Sequence, residues 1–420
     1  MSPTLNTRTK NRLPLFALFT ANAISMVGNV LTMIAIPWFV LQTTGSATQT
    51  GITGFFSILP VVLAGFVGGA LVDRLGYKRT SIIADLASGI TVALIPILYF
   101  TVGLQFWQLM VLVFCGALLD TPGSTARSAL IPELAELAGM PIERAASLNQ
   151  IVERGSRLLG APLAGLLITL MSTANVLWLD AISFFISAVM VIVLIKVPRL
   201  KLPEMVRGNY WGELRGGLKF LRRDHLLLAL MITIMFTNGV DAAYSSVVRP
   251  VYVDQVWGSA LDLGLLIAVN AAGAILGAFI YGSIGHRLPR HITFVTMFML
   301  TGLRFWIMAL YPPLVVVLIF TFISSLGAGP LNPIIDAVEY ERIPTHMRGR
   351  VFGVITAGAW AAMPLGTLLG GIFTEQIGVQ WMFILLGAMY LITTVSMAFI
   401  PAMRDLNRRA AEPLLTPESN

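Results

Sequence analysis

Long apolar runs, each closed by a charge cluster or by Gly, Pro or Asn, recur near residues 15–41, 51–72, 81–102, 106–125, 146–170 and 175–195. They recur again near 226–248, 261–284, 292–310, 314–336, 351–373 and 381–400. A bilayer core about 30 Å thick takes about 20 helical residues to cross, so each run is long enough to span it. The pattern predicts an all-α membrane protein of twelve transmembrane helices in two six-helix bundles, 14–195 and 226–401. A tail over 1–13, a linker over 196–225 and a tail over 402–420 complete the chain. In the linker, Trp211, Leu214, Leu218 and Leu221 recur at helical spacing with Glu213, Arg215, Lys219, Arg222 and Arg223 between them, which predicts an amphipathic helix on the membrane surface. Pro14 to Ala23, preceded by Arg8, Lys10 and Arg12, has the look of a signal peptide, but the apolar run continues to Leu41 and reads as a full span.

Composition agrees with the pattern. The 420 residues are 56% hydrophobic and 12% charged, with a mean hydropathy of +0.81, whereas soluble domains are about one-quarter charged. Twelve spans consume about 240 residues and leave no room for a large soluble domain. Cys115 is the only cysteine, which excludes an intramolecular disulfide, and the four histidines, His225, His286, His291 and His346, lie near loops, so no metal or haem centre is expected. The net charge of +7 is topological rather than a nucleic-acid footprint. Of the 28 Lys and Arg residues, 24 fall on one side of this span map, which by the positive-inside rule puts both termini in the cytoplasm. Outward connections such as 172–174 and 311–313 are too short for a receptor domain, and the polar tail after Arg404 reads as disordered.

The halves repeat. Gly69-Ala-Leu-Val-Asp73-Arg74-Leu75-Gly76-Tyr77-Lys78-Arg79 follows the second run, and Gly282-Ser-Ile-Gly285-His286-Arg287-Leu288-Pro289-Arg290 follows the eighth, alignable without a gap. Pro162-Leu163 and Pro364-Leu365 occupy matching places in spans five and eleven. Internal repeats suit transporters, which rock two similar bundles about a midplane site. The Gly69 to Arg79 segment resembles the loop signature G-x-L-x-D-R-x-G-R-K-x of the major facilitator superfamily, with Tyr77 replacing the first basic residue. Ile36-Pro37-Trp38 with Leu41-Gln42, Ala84-Asp85-Leu86, and Ile343-Pro344 through Arg348-Gly349-Arg350-Val351 are similar to its drug:proton antiporter branch, which holds macrolide pumps and Tap-like tetracycline and aminoglycoside pumps. The resemblance covers residues 14 to 403. It implies a twelve-helix fold and multidrug efflux by proton antiport with alternating access, with the inner (cytoplasmic) membrane as the expected location of such an exporter, and favours a monomer. A siderophore, metabolite or lipid exporter, or a proton-independent facilitator, is the alternative on the same fold. Two departures stand out: Asn29 lies where several antiporters of the branch carry an acid, and Gly160-Ala161-Pro162-Leu163-Ala164-Gly165 matches the span-five antiporter signature only in part.

Chemistry is expected where polar groups enter the bilayer, since an ionisable residue at its centre costs roughly 2.5–3.5 kcal/mol. Gly69, Asp73, Arg74, Gly76 and Arg79 form the candidate gating loop, with Asp73 as an acid able to latch one conformation. The superfamily fold places spans three, six and nine outside the central cavity, which demotes Asp85, Asp180 and Arg304. Asp120 is the first candidate for proton coupling and Asp241 the second. Glu153 is weaker because it can neutralise itself against Arg157 at i+4. Asn22, Met26, Asn29 and Met33 share one face of span one and suit a broad-specificity wall. Asn238, Asn270 and Asn332 extend a polar ring, and Phe55, Phe56 and Trp360 supply aromatic surface. The Gly65/Gly69, Gly273/Gly277 and Gly366/Gly370 pairs read as helix packing. With no G-x-x-x-x-G-K-[ST] run, no H-E-x-x-H and no G-x-S-x-G, neither ATP chemistry nor an intramembrane enzyme is expected; the family resemblance implies the proton gradient as the energy source and no cofactor.

Overall fold

The computed structural model describes residues 11–195 and 210–407, apart from the side chains of 65–74, 210–211, 213–214 and 346. Thirteen long helices follow one another: α1 (Leu13–Thr44), α2 (Ala47–Leu75), α3 (Tyr77–Thr101), α4 (Phe106–Ala138), α5 (Ile142–Met171), α6 (Thr173–Leu194) and α7 (Tyr210–Arg223). Then come α8 (His225–Val256), α9 (Ala260–Arg287), α10 (Arg290–Met308), α11 (Leu314–Arg342), α12 (Arg348–Ile377) and α13 (Val379–Phe399). All but α7 are the twelve expected spans. Eleven of them are long and apolar enough to cross a bilayer by length and composition alone; α5, of 30 residues, carries Glu143, Arg144, Glu153, Arg154 and Arg157 and is the polar exception. Large apolar side chains such as Trp107, Leu170, Phe279, Ile392 and Phe399 face outward, as they do when lipid is the solvent.

The ends of these helices follow from their sequences. Pro14 opens α1, where its missing N–H is not needed, and Gly45 closes it in a left-handed conformation. Gln105 and Gln108 cap α4 reciprocally. Asp224 caps α8, accepting from the Leu226 and Leu227 amides at 3.0 and 3.1 Å. Gly76, at φ +80°, is the single residue joining α2 to α3, a conformation side chains resist.

The chain forms two compact units. One comprises Met1–Val206 with Val253–Ala268, and the other Arg207–Tyr252 with Val269–Asn420. In the first, α1 packs on α5 and α6, and α3 on α4 and α6, around Leu18, Phe19, Leu134 and Val191. The start of α9 belongs to this unit: a Cβ on Gly264 would sit 2.6 Å from the Ala161 carbonyl oxygen, so the small residues of the partial span-five signature do allow a close approach. In the second, α10 packs on α11 and α13, and α8 on α12, about a cluster of Tyr244, Phe305, Phe383 and Tyr390. Glycines set the separations here as well. A Cβ on Gly277 would collide with the Leu326 carbonyl of α11, and one on Gly366 with the Gly239 carbonyl of α8.

Helix α7 forms where the amphipathic pattern predicts a helix. It packs on the start of α12, where Leu221 is fully buried and a Cβ on Gly217 would lie 2.8 Å from the Arg350 carbonyl oxygen. The bare backbone at Gly217 admits the other helix at close range, while Leu218 of the same stripe stays exposed.

Candidate functional site

A connected polar network threads the first unit. Arg127 of α4, 2% exposed, pairs through Nη1 with Asp85 of α3, which is 0% exposed, and Ser187 of α6 donates to the other Asp85 oxygen at 2.7 Å. Arg127 Nε donates to Asn22 Oδ1 at 3.2 Å. Asn22 donates to Asn149 at 3.2 Å, and Asn149 to Glu153 at 2.8 Å. Asp120 lies about one turn from Gly123 and two from Arg127 on α4. Its Oδ1 is 3.8 Å from Arg127 Nη2, too long for a hydrogen bond, while Asn29 donates to its Oδ2 at 3.1 Å. Asp120 Oδ1 is buried with no hydrogen-bond partner, although the side chain as a whole is 23% exposed. Arg127 thus spends its charge on Asp85 and leaves Asp120 as the surplus carboxylate. Asp180 is a further fully buried acid, satisfied by the hydroxyls of Thr32 and Ser183.

The second unit encloses a cavity of about 350 Å³. Its charged wall is Asp241, Arg249 and Arg304, its polar wall includes Asn238, Asn270 and Asn332, and its apolar wall includes Phe298, Leu331 and Met363. Arg304 of α10 pairs with Asp241 of α8 and lies 4.8 Å from the Tyr244 ring. Asn270 donates to Ser325 at 2.7 Å and Asn238 to the Ala359 carbonyl at 3.0 Å. Between Asp241 and Arg249, α8 widens into a π-turn over Tyr244–Val248, and the Arg249 amide donates to the Tyr244 carbonyl five residues back. Pro250, which cannot donate and crowds the carbonyl four residues before it, explains the widening. Eight residues at 3.6 per turn would leave Arg249 about 80° from Asp241; absorbing one residue in the turn brings it to about 20°, on the same face.

Several expectations therefore change. Glu153 does not pair with Arg157: Asn149, on the same face and already held by Asn22, reaches it first, and none of the ion pairs among the described residues joins the two. Asn22 is a buried link of the Arg127 network rather than a cavity wall. Asp85 and Arg304, demoted as peripheral, are the buried halves of the two embedded ion pairs, because spans three and nine turn those side chains inward. Asp241 is not an isolated carboxylate. Asn29 touches Asp120, while Met33 is exposed and Met26 partly so. Phe55 and Phe56 pack edge to face at 5.6 Å, with Phe114 against Phe56 at 6.2 Å. Trp360 is exposed and does not line the second-unit cavity. The side chains of Gly69, Asp73 and Arg74 lie outside the described residues. Arg79 is exposed, and Lys78 donates to the Ile192 carbonyl at 3.1 Å. Sequence reasoning also passed over Asn149, Ser187 and Arg249. The Arg249-Pro250 step was the one available signal for the last.

Comparison with known proteins adds to this geometry. Residues 18–256 and 231–417 match the family model described as Major Facilitator Superfamily. The chain is 32% identical over 398 residues to the multidrug efflux pump Tap of Mycolicibacterium fortuitum, covering 94% of this chain and 96% of that protein. It is 22% identical over 402 residues to macrolide efflux protein A of Streptococcus pyogenes, covering 94% and 98%. Among solved structures, the nucleoside transporter NupG superposes with a TM-score of 0.75 at 12% identity, covering 92% of this chain and 99% of that one.

Proposed function

The chain belongs to the Major Facilitator Superfamily, and we propose from this premise that it is an exporter of small amphipathic or cationic compounds, driven by proton antiport through alternating access. As a member of that superfamily it is a multi-pass membrane transporter and not an enzyme. The multidrug and macrolide efflux relatives, matched over nearly their whole lengths, support efflux. In this reading the chain lies in the inner membrane with both termini in the cytoplasm, works as a monomer without a cofactor, and uses the Asp73–Arg74 segment as a gate.

One observation carries proton coupling. Asp120 is held by a single amide hydrogen bond beside a guanidinium already committed to Asp85, and one of its oxygens has no partner. A carboxylate that is neither locked in a close ion pair nor fully solvated is suited to exchange a proton when a cationic ligand arrives. Asp241, tied to Arg304, is in this reading a structural partner. The test is proton release from acid-loaded proteoliposomes on addition of cationic dyes. Wild type releases protons in response to dye, Asp120→Asn binds dye without releasing them, and Asp241→Asn keeps the signal. Full dye-driven release by Asp120→Asn would overturn the assignment. Dye counterflow without any proton movement in wild type would leave a facilitator.

A further inference from the structure

The second-unit cavity is unbalanced in charge. Two guanidiniums, Arg249 and Arg304, and one carboxylate, Asp241, are its only formally charged lining residues. Arg304 and Asp241 neutralise one another. Arg249 is 8% exposed, and none of the ion pairs among the described residues includes it. It donates to the Ser245 carbonyl at 3.5 Å through Nη2, lies 5.2 Å from the Tyr244 ring and interacts with the Tyr244 side chain and, at longer range, with Asp241; its Nε is buried without a hydrogen-bond partner. A buried cation with unspent donors costs several kcal/mol unless a counter-charge arrives. The π-turn that swings Arg249 onto the face of Asp241 aims that cation at the cavity.

From this geometry we infer that the cavity is a binding site for an amphipathic organic monoanion, with a carboxylate on Arg249 and the apolar body against Phe298, Leu331 and Met363. The guanidinium presents paired N–H donors matched to a carboxylate. Asn332, with no hydrogen bond among the described residues, and the second N–H of Asn270 offer further donors nearby. At about 350 Å³ the space is at the small end of ligand pockets and suits a body of one or two rings. Binding does not require the efflux reading; only the consequence that carboxylate-bearing amphiphiles join the exported compounds rests on it.

The test uses the full chain in detergent and three probes sharing one ring system: 1-naphthylacetate, its methyl ester and 1-naphthylmethylamine, titrated calorimetrically. The acid binds about tenfold or more tighter than the ester, the worth of one charge-assisted hydrogen bond, and the amine binds no better than the ester. Arg249→Gln brings the acid down to the ester, and Arg249→Lys keeps part of the preference. Should Arg249→Gln fold poorly, Ser245→Asp tests the same point by supplying an internal carboxylate at the cavity wall, and it too removes the preference. Equal binding of acid and ester by wild type, or a preference that survives both Arg249→Gln and Ser245→Asp, overturns the site. Proteoliposomes separate the two readings: acid bound through Arg249 but neither acid nor dye transported overturns efflux alone, whereas dye export with no acid preference overturns the site alone.

Discussion

Removing either member of the Asp85–Arg127 pair should not cost the same, because Arg127 has a second carboxylate within reach and Asp85 has no second cation. In Asp85→Asn, Arg127 keeps its 3.2 Å bond to Asn22 and remains 3.8 Å from Asp120. Two unit charges at that distance attract by about 4 kcal/mol at an effective dielectric of about 20, and the partial exposure of Asp120 trims that figure. The new amide still accepts from Ser187, so the substitution should cost about 1–2 kcal/mol. In Arg127→Gln, by contrast, Asp85 is left fully buried with only a hydroxyl donor, and Asp120 loses its nearest cation. Breaking a buried pair from this side costs about 3–5 kcal/mol. The assay is equilibrium unfolding in mixed micelles with rising SDS, followed by tryptophan fluorescence. Arg127→Gln should lie about 2 kcal/mol or more below Asp85→Asn, and Asp85→Asn/Arg127→Gln should recover part of the loss by removing the orphaned acid. If Asp85→Asn is as damaging as Arg127→Gln, or the double variant is no better than Arg127→Gln, Asp120 is not a reserve partner and the view of it as a surplus carboxylate beside a committed arginine fails.

Two further outcomes follow from packing and capping. Gly277→Val drives a side chain into the Leu326 carbonyl and should sharply lower thermal stability, whereas Gly282→Ala, with nothing within 4 Å of the added carbon, should stay within about 0.5 kcal/mol of wild type; a matched loss at both positions would show that backbone propensity, not helix contact, governs α9. Asp224→Ala removes the cap of α8 and a 3.0 Å pair with Arg342, and should cost about 1–2 kcal/mol. Asp224→Asn keeps the cap and loses much less, as read by hydrogen exchange of the Leu226 and Leu227 amides.

The spans were legible because each had to satisfy one local condition, apolar length, and α5, although it carries Glu153, Arg154 and Arg157, still shows an apolar run over its second half. The small residues at Gly277 and Gly366 were legible for the same reason, since close approach needs only a missing Cβ. Pairing was not legible, because it depends on which helices meet and how each is turned. Asp85 and Arg304 were set aside through the expected periphery of spans three and nine, yet those spans hold equivalent places in the two halves, and each sends one charge inward to an opposite charge on a neighbouring helix of its own half. The Arg249 register was hidden by a π-turn, since a periodic reading assumes an unbroken 3.6-residue turn. Once the two ion pairs are taken out, embedded charges without a close counter-ion remain in each half, the Asp120 and Asp180 carboxylates in the first and the Arg249 guanidinium in the second; Asp180 is met by two hydroxyls, whereas Asp120 and Arg249 each keep a buried polar atom without a hydrogen-bond partner. A paired charge is already balanced where it sits, so its removal reads out mainly as stability. An unbalanced one holds its place at a standing energetic cost that a ligand or proton relieves, and so its removal should read out as binding or coupling.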